Sequence, residues 1–226
     1  MNEALKQALT TTRVIPALRG ITVPEAHGVA ETFLQFGVSV LEVPLRTKNP
    51  AFSPIEAEAI EVLKVLLRSF GDKAVIVAGT VTNESDLDSL QDLGLTTCLS
   101  LNLQTDLVQR AVERGMDFIP GVETVTEAIA ATRAGAAGLK LFPAVIREPD
   151  GGSSVRLTPG YVNYLCRFLS LPVIPSGNAF EDGIAAAYLR SGAIALNVGA
   201  QLYEPGISLE ALRKRFGALA RQLETE

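Results

Sequence analysis

Short apolar runs alternate with longer amphipathic stretches along most of the chain. The eight runs are VIPAL (14–18), VLEVPL (40–45), VIVAGT (75–80), TTCLSL (96–101), DFIPG (117–121), GLKLFPA (138–144), PVIPSG (172–177) and IALNVG (194–199). Their composition is typical of strands buried on both faces. The stretches between them place apolar residues at helical spacing, and several end at a glycine, the usual signal for a helix end. The pattern therefore predicts a strand followed by a helix, eight times over.

This repeat predicts a parallel sheet covered by helices, and eight such units close naturally into a (β/α)₈ or TIM barrel. The polar stretch MNEALKQALTTTR (1–13) predicts a short helix before the first strand. The alternative, a doubly wound open sheet, needs a glycine-rich dinucleotide turn after its first strand, and ALRGIT (17–22) lacks that pattern. The longest irregular stretch is predicted at residues 146–160. Without a linker or low-complexity segment, we expect one α/β barrel domain over residues 1–226.

Composition narrows the classes of protein that fit this fold. Of the 226 residues 47% are hydrophobic and 20% are charged, which is typical of a folded domain. The net charge of −5 disfavours a nucleic acid or an anionic membrane as partner. One His and two Cys provide no spaced set of metal ligands, so we expect no metal and no cofactor. Cys98 and Cys166 lie in apolar surroundings and are expected to be buried free thiols. Without a signal-peptide or membrane-span pattern, we expect a cytoplasmic protein.

Polar side chains at the carboxyl ends of the predicted strands are the candidates for chemistry, because barrels of this type carry their active sites there. Several small or polar residues fall at these ends. They are Arg19, Glu42, Arg46, Thr80, Ser100, Asn102, Lys140, Ser176, Gly177, Asn178, Asn197 and Gly199.

Lys140 and Glu42 lie within apolar runs, and strand alternation turns both side chains into the barrel. A buried ammonium is costly unless it has a partner or loses its proton. One interpretation is a structural ion pair, although such pairs are weak evidence for stability. Two further cations at the same rim, Arg19 and Arg46, favour an anionic substrate instead.

Schiff-base chemistry explains this set of residues. An amine must be neutral to attack a ketone, and a desolvated lysine beside other cations has a lowered pKa. The iminium that forms is an electron sink, so a neighbouring carbon–carbon bond can break. A carboxylate must then move protons, and Glu42 is the acidic residue placed for that role. The residues therefore indicate a class I aldolase.

Five segments resemble, in order and spacing, the 2-keto-3-deoxy-6-phosphogluconate aldolases and their relatives that act on the galactonate epimer or on 4-hydroxy-2-oxoglutarate. The segments are LEVPLRT (41–47), VAGTV (77–81), FIPGVETVTEA (118–128), LKLFPA (139–144) and PSG (175–177). The resemblance runs from about residue 13 to about residue 203. It implies a homotrimeric class I aldolase of carbohydrate metabolism, as in the Entner–Doudoroff pathway. Its products would be pyruvate and an aldehyde, either glyceraldehyde 3-phosphate or glyoxylate.

The resemblance also implies roles for individual residues. Lys140 matches the Schiff-base lysine and Glu42 the general acid/base. Arg46 and Thr80 match residues that line the pyruvate pocket, and Arg19 matches an arginine near the substrate carboxylate. The other substrate-binding residues implied are Phe142, Ser176, Gly177, Asn178, Gly199 and Ala200.

The phosphate end departs from the family pattern. Family members often show Gly-Gly and Gly-Ser where this chain has Gly177-Asn178 and Gly199-Ala200. We therefore expect a smaller preference for phosphorylated substrates, with Arg147 or Arg156 as a further counter-charge. Two alternatives stay open at this point: an isomerase or epimerase of phosphosugars on the same fold, and a barrel that binds a keto acid without converting it.

Overall fold

The computed structural model describes residues 1–48, 53–177 and 183–224, without the side chain of Glu224. The strands are β1 (Val14–Pro16), β2 (Val40–Pro44), β3 (Val75–Gly79), β4 (Thr97–Leu99), β5 (Asp117–Ile119), β6 (Gly121–Val122), β7 (Leu139–Arg147), β8 (Ser153–Val155), β9 (Val173–Gly177) and β10 (Leu196–Val198). The helices are α1 (Glu3–Thr12), α2 (Val23–Gln35), α3 (Ala57–Phe70), α4 (Glu84–Asp92), α5 (Thr105–Glu113), α6 (Val125–Ala134), α7 (Pro159–Phe168), α8 (Ile184–Arg190) and α9 (Leu209–Glu224).

The parallel strands close into a barrel. One set pairs in the order β2-β3-β4-β5 and the other in the order β1-β10-β9-β7-β6. A parallel bridge between Ala17 and Glu42 joins the sets on one side. On the other side β5 and β6 are separated only by Pro120 and form one barrel strand. The (β/α)₈ barrel predicted from the hydrophobic pattern is therefore confirmed.

The structure corrects the sequence prediction after the sixth barrel strand. Part of the stretch predicted to be irregular is a hairpin, in which β8 pairs antiparallel with the end of β7, and Ile146 lies opposite Ser154. Strand β7 continues through Val145 and Ile146 to Arg147, with a register shift between Leu141 and Val145. The chain then reverses near Gly151, whose φ of 89° suits glycine.

Two apolar layers hold the barrel together. Side chains that point outward from the strands, such as Leu41 and Leu139, pack against the helices. Inward side chains form a second cluster with Leu5 and Leu9 of α1, and its strand members are Ile15, Val40, Val77, Leu99, Ile119 and Ile174. The predicted amino-terminal helix is thus present, and its two buried leucines contribute about 1.5–3 kcal/mol each. Because this inner cluster is apolar, the polar side chains that could carry out chemistry lie at the carboxyl end of the barrel.

Both cysteines are free, but only one is fully buried. Cys98 lies in β4 with none of its surface exposed, whereas Cys166 in α7 is half-buried. Burial raises the pKa of each thiol, which disfavours the thiolate. No helix in the described part of the chain is long and apolar enough to cross a membrane.

Candidate active site

A cavity of about 130 Å³ opens at the carboxyl ends of the barrel strands. Eight residues that sequence analysis proposed for the site line it: Arg19, Glu42, Lys140, Phe142, Ser176, Gly177, Gly199 and Ala200. The remaining lining residues are Ala17, Leu101 and Asn197. Arg46 and Thr80 lie outside this lining, and Asn178 lies outside the described residues. The candidate residues that converge here come from distant parts of the chain.

Lys140 projects from β7 into the cavity with its side chain only 4% exposed. Its Nζ lies 3.9 Å from Oε1 of Glu42 and 5.4 Å from the centre of the Phe142 ring. Burial lowers the pKa of Lys140; Glu42 opposes this effect, and Arg19 adds to it. The pKa of the amine is therefore below that of an ordinary lysine, which increases the fraction that is neutral and nucleophilic near neutral pH.

Glu42 is held by the amide of Asn197, a residue at a strand end to which the sequence alone gave no role. Asn197 Nδ2 donates to Oε2 of Glu42 at 2.6 Å and to the main-chain carbonyl of Ile15 at 3.2 Å. Ser176 Oγ donates to Asn197 Oδ1 at 2.8 Å. The sequence did contain a signal for this role of Asn197: a polar residue at an inward position in the run IALNVG. The same signal identified Lys140.

Gly79 leaves the space that the Glu42 carboxylate occupies. A Cβ atom built on Gly79 would lie within 2.5 Å of Oε1 and 2.7 Å from Cδ of Glu42, far inside van der Waals contact. Gly79 lies in β3 opposite Pro44 of β2, so its backbone cannot move away without breaking the barrel pairing. A glycine within an apolar strand often marks such a close approach. Gly79 in the segment VAGTV was therefore the sequence signal for it.

We expect Gly79→Ala to displace the Glu42 carboxylate and lower kcat by about 100-fold, the scale associated with a misplacement of about 1 Å. Steady-state kinetics together with a thermal unfolding curve measures both activity and folding. Gly160→Ala is the matched control, because a Cβ there meets nothing closer than 3.7 Å. A kcat equal to that of the parent would show that Glu42 tolerates the added methyl group.

Arg46 makes its polar contacts within the protein rather than at the cavity. Its guanidinium pairs with both carboxylate oxygens of Asp86, at 2.9 and 2.7 Å. It also donates to the main-chain carbonyls of Ser53 at 2.6 Å and Thr80 at 3.0 Å. Four of its five N–H groups are thus used. Arg46 does not line the cavity, and its expected place in the substrate pocket stays a prediction. Asp86, from the first turn of α4, supplies a counter-charge that the spacing of the rim residues did not reveal.

Thr80 is buried beside this pair in an unusual conformation. Its φ is 56°, which is strained for a β-branched residue. Its hydroxyl donates to the carbonyl of Gly79 at 2.7 Å and accepts from the Arg46 amide at 3.2 Å. These contacts make Thr80 part of the support beneath the site, although it does not line the cavity.

We expect Asp86→Asn to lower the free energy of unfolding by about 3 kcal/mol, because it leaves the Arg46 charge buried without its partner. Both side chains of the pair are at most 2% exposed, so water cannot compensate. Urea unfolding measures the change. Asp88→Asn is the control on the exposed face of the same helix, and its unfolding midpoint should stay close to that of the parent. Equal midpoints for both variants would contradict the structural role of Asp86.

The opposite side of the cavity is built from backbone and small residues. Gly177 has a φ of 118°, and a Cβ there would lie 2.6 Å from the Val145 carbonyl, so glycine is required.

Arg19 is exposed at the rim and donates one N–H to the carbonyl of Arg46 at 3.2 Å. Arg156 forms an ion pair with Glu123 and is therefore not an unpaired counter-charge for a substrate.

The site thus brings a lysine of lowered pKa beside a carboxylate at the carboxyl end of a (β/α)₈ barrel, the end at which enzymes of this fold carry their active sites. Residues 5–214 match the family model described as "Aldolase: KDPG and KHG aldolase". The chain belongs to this family and is an aldolase, that is, a lyase.

Individual relatives agree with this assignment. The chain is 34% identical to a probable 2-dehydro-3-deoxy-6-phosphogalactonate aldolase of Rhizobium meliloti (strain 1021), covering 89% of this chain and 87% of the relative. It is 30% identical to the 2-dehydro-3-deoxy-6-phosphogalactonate aldolase of Escherichia coli (strain K12), covering 92% and 93%. A solved structure described as "Native KDPGal structure" superposes with a TM-score of 0.77 at 29% identity, covering 94% and 95%.

Proposed function

We propose that this protein is a class I aldolase in which Lys140 forms a Schiff base with a 2-keto acid and Glu42 transfers the protons. The observation that carries the proposal is the pair itself: a buried amine of lowered pKa whose Nζ lies 3.9 Å from a buried carboxylate oxygen. A buried pair kept only for stability would not need to border an open cavity, and this one does.

The reaction follows from these two groups. The neutral amine of Lys140 attacks the ketone, and loss of water leaves an iminium. A base removes the proton of the C4 hydroxyl, the C3–C4 bond breaks, and its electron pair moves through C2 to neutralise the nitrogen. The aldehyde leaves, and an enamine of pyruvate stays on the lysine. Protonation of the enamine carbon and hydrolysis then release pyruvate and restore the amine. Glu42, whose Oε1 lies 3.9 Å from the Lys140 nitrogen, is proposed to carry out both proton transfers.

Arg19 is proposed to hold an anionic end of the substrate. It lines the cavity and lies exposed at its rim, where a carboxylate or phosphate can approach. A guanidinium can pair such a group through two parallel hydrogen bonds. Arg46 is the second candidate for this task, and its guanidinium already pairs with Asp86.

The proposed substrates are a 2-keto-3-deoxy-6-phospho sugar acid, cleaved to pyruvate and glyceraldehyde 3-phosphate, and 4-hydroxy-2-oxoglutarate, cleaved to pyruvate and glyoxylate. The names of the relatives place the 6-phosphogalactonate epimer first among the compounds to test. We further propose the homotrimer that the family resemblance implies, which sedimentation velocity would test.

Pyruvate release from the gluconate and galactonate epimers and from 4-hydroxy-2-oxoglutarate, coupled to lactate dehydrogenase, tests the function directly. In the reverse direction, we expect kcat/KM to favour glyceraldehyde 3-phosphate over glyceraldehyde by less than about 10³-fold. The reason is that Ala200 supplies no side-chain hydroxyl to a phosphate, so backbone N–H groups and Arg19 must hold it. A larger ratio would show that those groups suffice. If none of the three compounds releases pyruvate, the proposed function is overturned.

A further inference from the structure

Asn197 stands at the centre of a buried polar chain that links two neighbouring strands to Glu42. We propose that Asn197 is a positioning residue for Glu42 in the aldolase reaction, and that Ser176 fixes the orientation of its amide. This inference rests on the proposed function and adds to it a residue that acts through the carboxylate rather than on the substrate.

The barrel register brings these groups together. Asn197 of β10 lies opposite Ile15 of β1 on one side and opposite Ser176 of β9 on the other. Both neighbours offer a partner to the amide, and Asn197 itself is only 3% exposed. The side chain is therefore held from both sides, away from bulk water.

The chemistry of the partners leaves only one orientation for the amide. The carbonyl of Ile15 can only accept, so the NH₂ end of Asn197 must face it. The second hydrogen of that NH₂ group then points to Oε2 of Glu42 at 2.6 Å. The oxygen end accepts from the Ser176 hydroxyl at 2.8 Å. The reversed amide would place an oxygen against two acceptors and leave the hydroxyl without this acceptor.

This arrangement makes the two oxygens of Glu42 unequal. Oε2 is bound to the amide, whereas Oε1 lies on the side of Lys140 and against the space left by Gly79. A carboxylate held at one oxygen keeps the other in a fixed place, which is what proton transfer to and from a substrate carbon requires. Without Asn197, Glu42 would be a buried carboxylate free to turn about its side-chain bonds.

The test separates imine formation from proton transfer. Incubation with pyruvate in D₂O exchanges the methyl protons, because a base removes one from the iminium to give the enamine and deuterium is returned to carbon. Borohydride trapping measures the extent of imine formation at equilibrium. We expect Asn197→Leu to trap pyruvate to the same extent and at the same pyruvate concentration, while exchange slows by about 10- to 100-fold, the scale of one lost hydrogen bond to a charged group.

Two further variants sharpen the result. Ser176→Ala keeps the amide but removes the donor that orients it, so exchange should slow by only about 3- to 10-fold, the scale of a neutral hydrogen bond. Asn163→Leu makes the same substitution at an exposed site on α7, where the amide donates to the carbonyl of Ser191, and should change neither readout.

The possible results distinguish this inference from the proposed function. Slower exchange with unchanged trapping supports the positioning role. Exchange in Asn197→Leu within about twofold of the parent overturns it, and so does a parallel loss of trapping and exchange, which would indicate a general disturbance of the pocket. If the parent protein itself neither traps pyruvate nor exchanges its protons, the proposed function fails and this inference fails with it.

Discussion

Replacement of Lys140 by methionine should abolish imine formation and lower turnover by more than about 10⁴-fold, the scale expected when a covalent nucleophile is lost. Methionine is close to lysine in length and is compatible with the apolar surroundings of β7, so the barrel should fold. The substitution removes the only atom that the proposed reaction joins covalently to the substrate. Borohydride reduction with pyruvate, followed by mass mapping of peptides, should label the segment LKLFPA in the parent and nothing in the variant.

A matched control distinguishes this effect from a general loss of lysine. Lys64 lies on α3 with its side chain 41% exposed and pairs with Glu61. Lys64→Met should keep both labelling and turnover. Labelling of the Lys140→Met variant at another lysine, or turnover comparable to that of the parent, would contradict the assignment of Lys140 as the Schiff-base residue.

Glu42→Gln should slow turnover by about 10²–10⁴-fold, the usual scale for a lost acid/base group, while the imine still forms. Glutamine is nearly isosteric, and its carbonyl oxygen can still accept the hydrogen bond that Asn197 donates. The variant therefore isolates proton transfer from packing. Steady-state kinetics for turnover and borohydride trapping for the imine measure the two effects separately.

The same variant should shift the pH dependence of trapping in a defined direction. The negative charge of Glu42 raises the pKa of Lys140, in opposition to burial. Removing that charge lowers the pKa of Lys140 further, so the amine becomes neutral at lower pH. The pH at which trapping reaches half its maximum should therefore fall. An upward shift would contradict the electrostatic effect of Glu42 on Lys140. Turnover near that of the parent would show that another group carries out the proton transfer.

The fold was predictable because hydrophobic burial leaves a repeating signal. Strands buried on both faces read as continuous apolar runs, and their number and alternation with helices indicated the closed barrel. Strand alternation also predicted that Lys140 and Glu42 point inward, since the side-chain direction depends only on the position along each strand. The hairpin of β7 and β8 was not predicted, because its second strand, Ser153–Val155, lacks an apolar run.

The partners of the site residues depended on the tertiary structure. The spacing of the rim residues did not distinguish Arg46 from Arg19, whereas the tertiary structure pairs the guanidinium of Arg46 with Asp86 of α4. The reason is geometric: the position of a carboxylate in the first turn of a helix relative to a strand end is set by how the helices pack on the barrel, and no periodicity of either segment encodes it.

By itself, the sequence determined the barrel and the inward direction of the lysine and the carboxylate, because each depends on local periodicity and burial. Only the tertiary structure decided what holds that carboxylate. The amide of Asn197 reaches Glu42 across the barrel interior, and the missing side chain of Gly79 leaves room for it. Both relations join residues far apart in the chain, and each depends on distances of a few ångströms that arise only when the barrel closes.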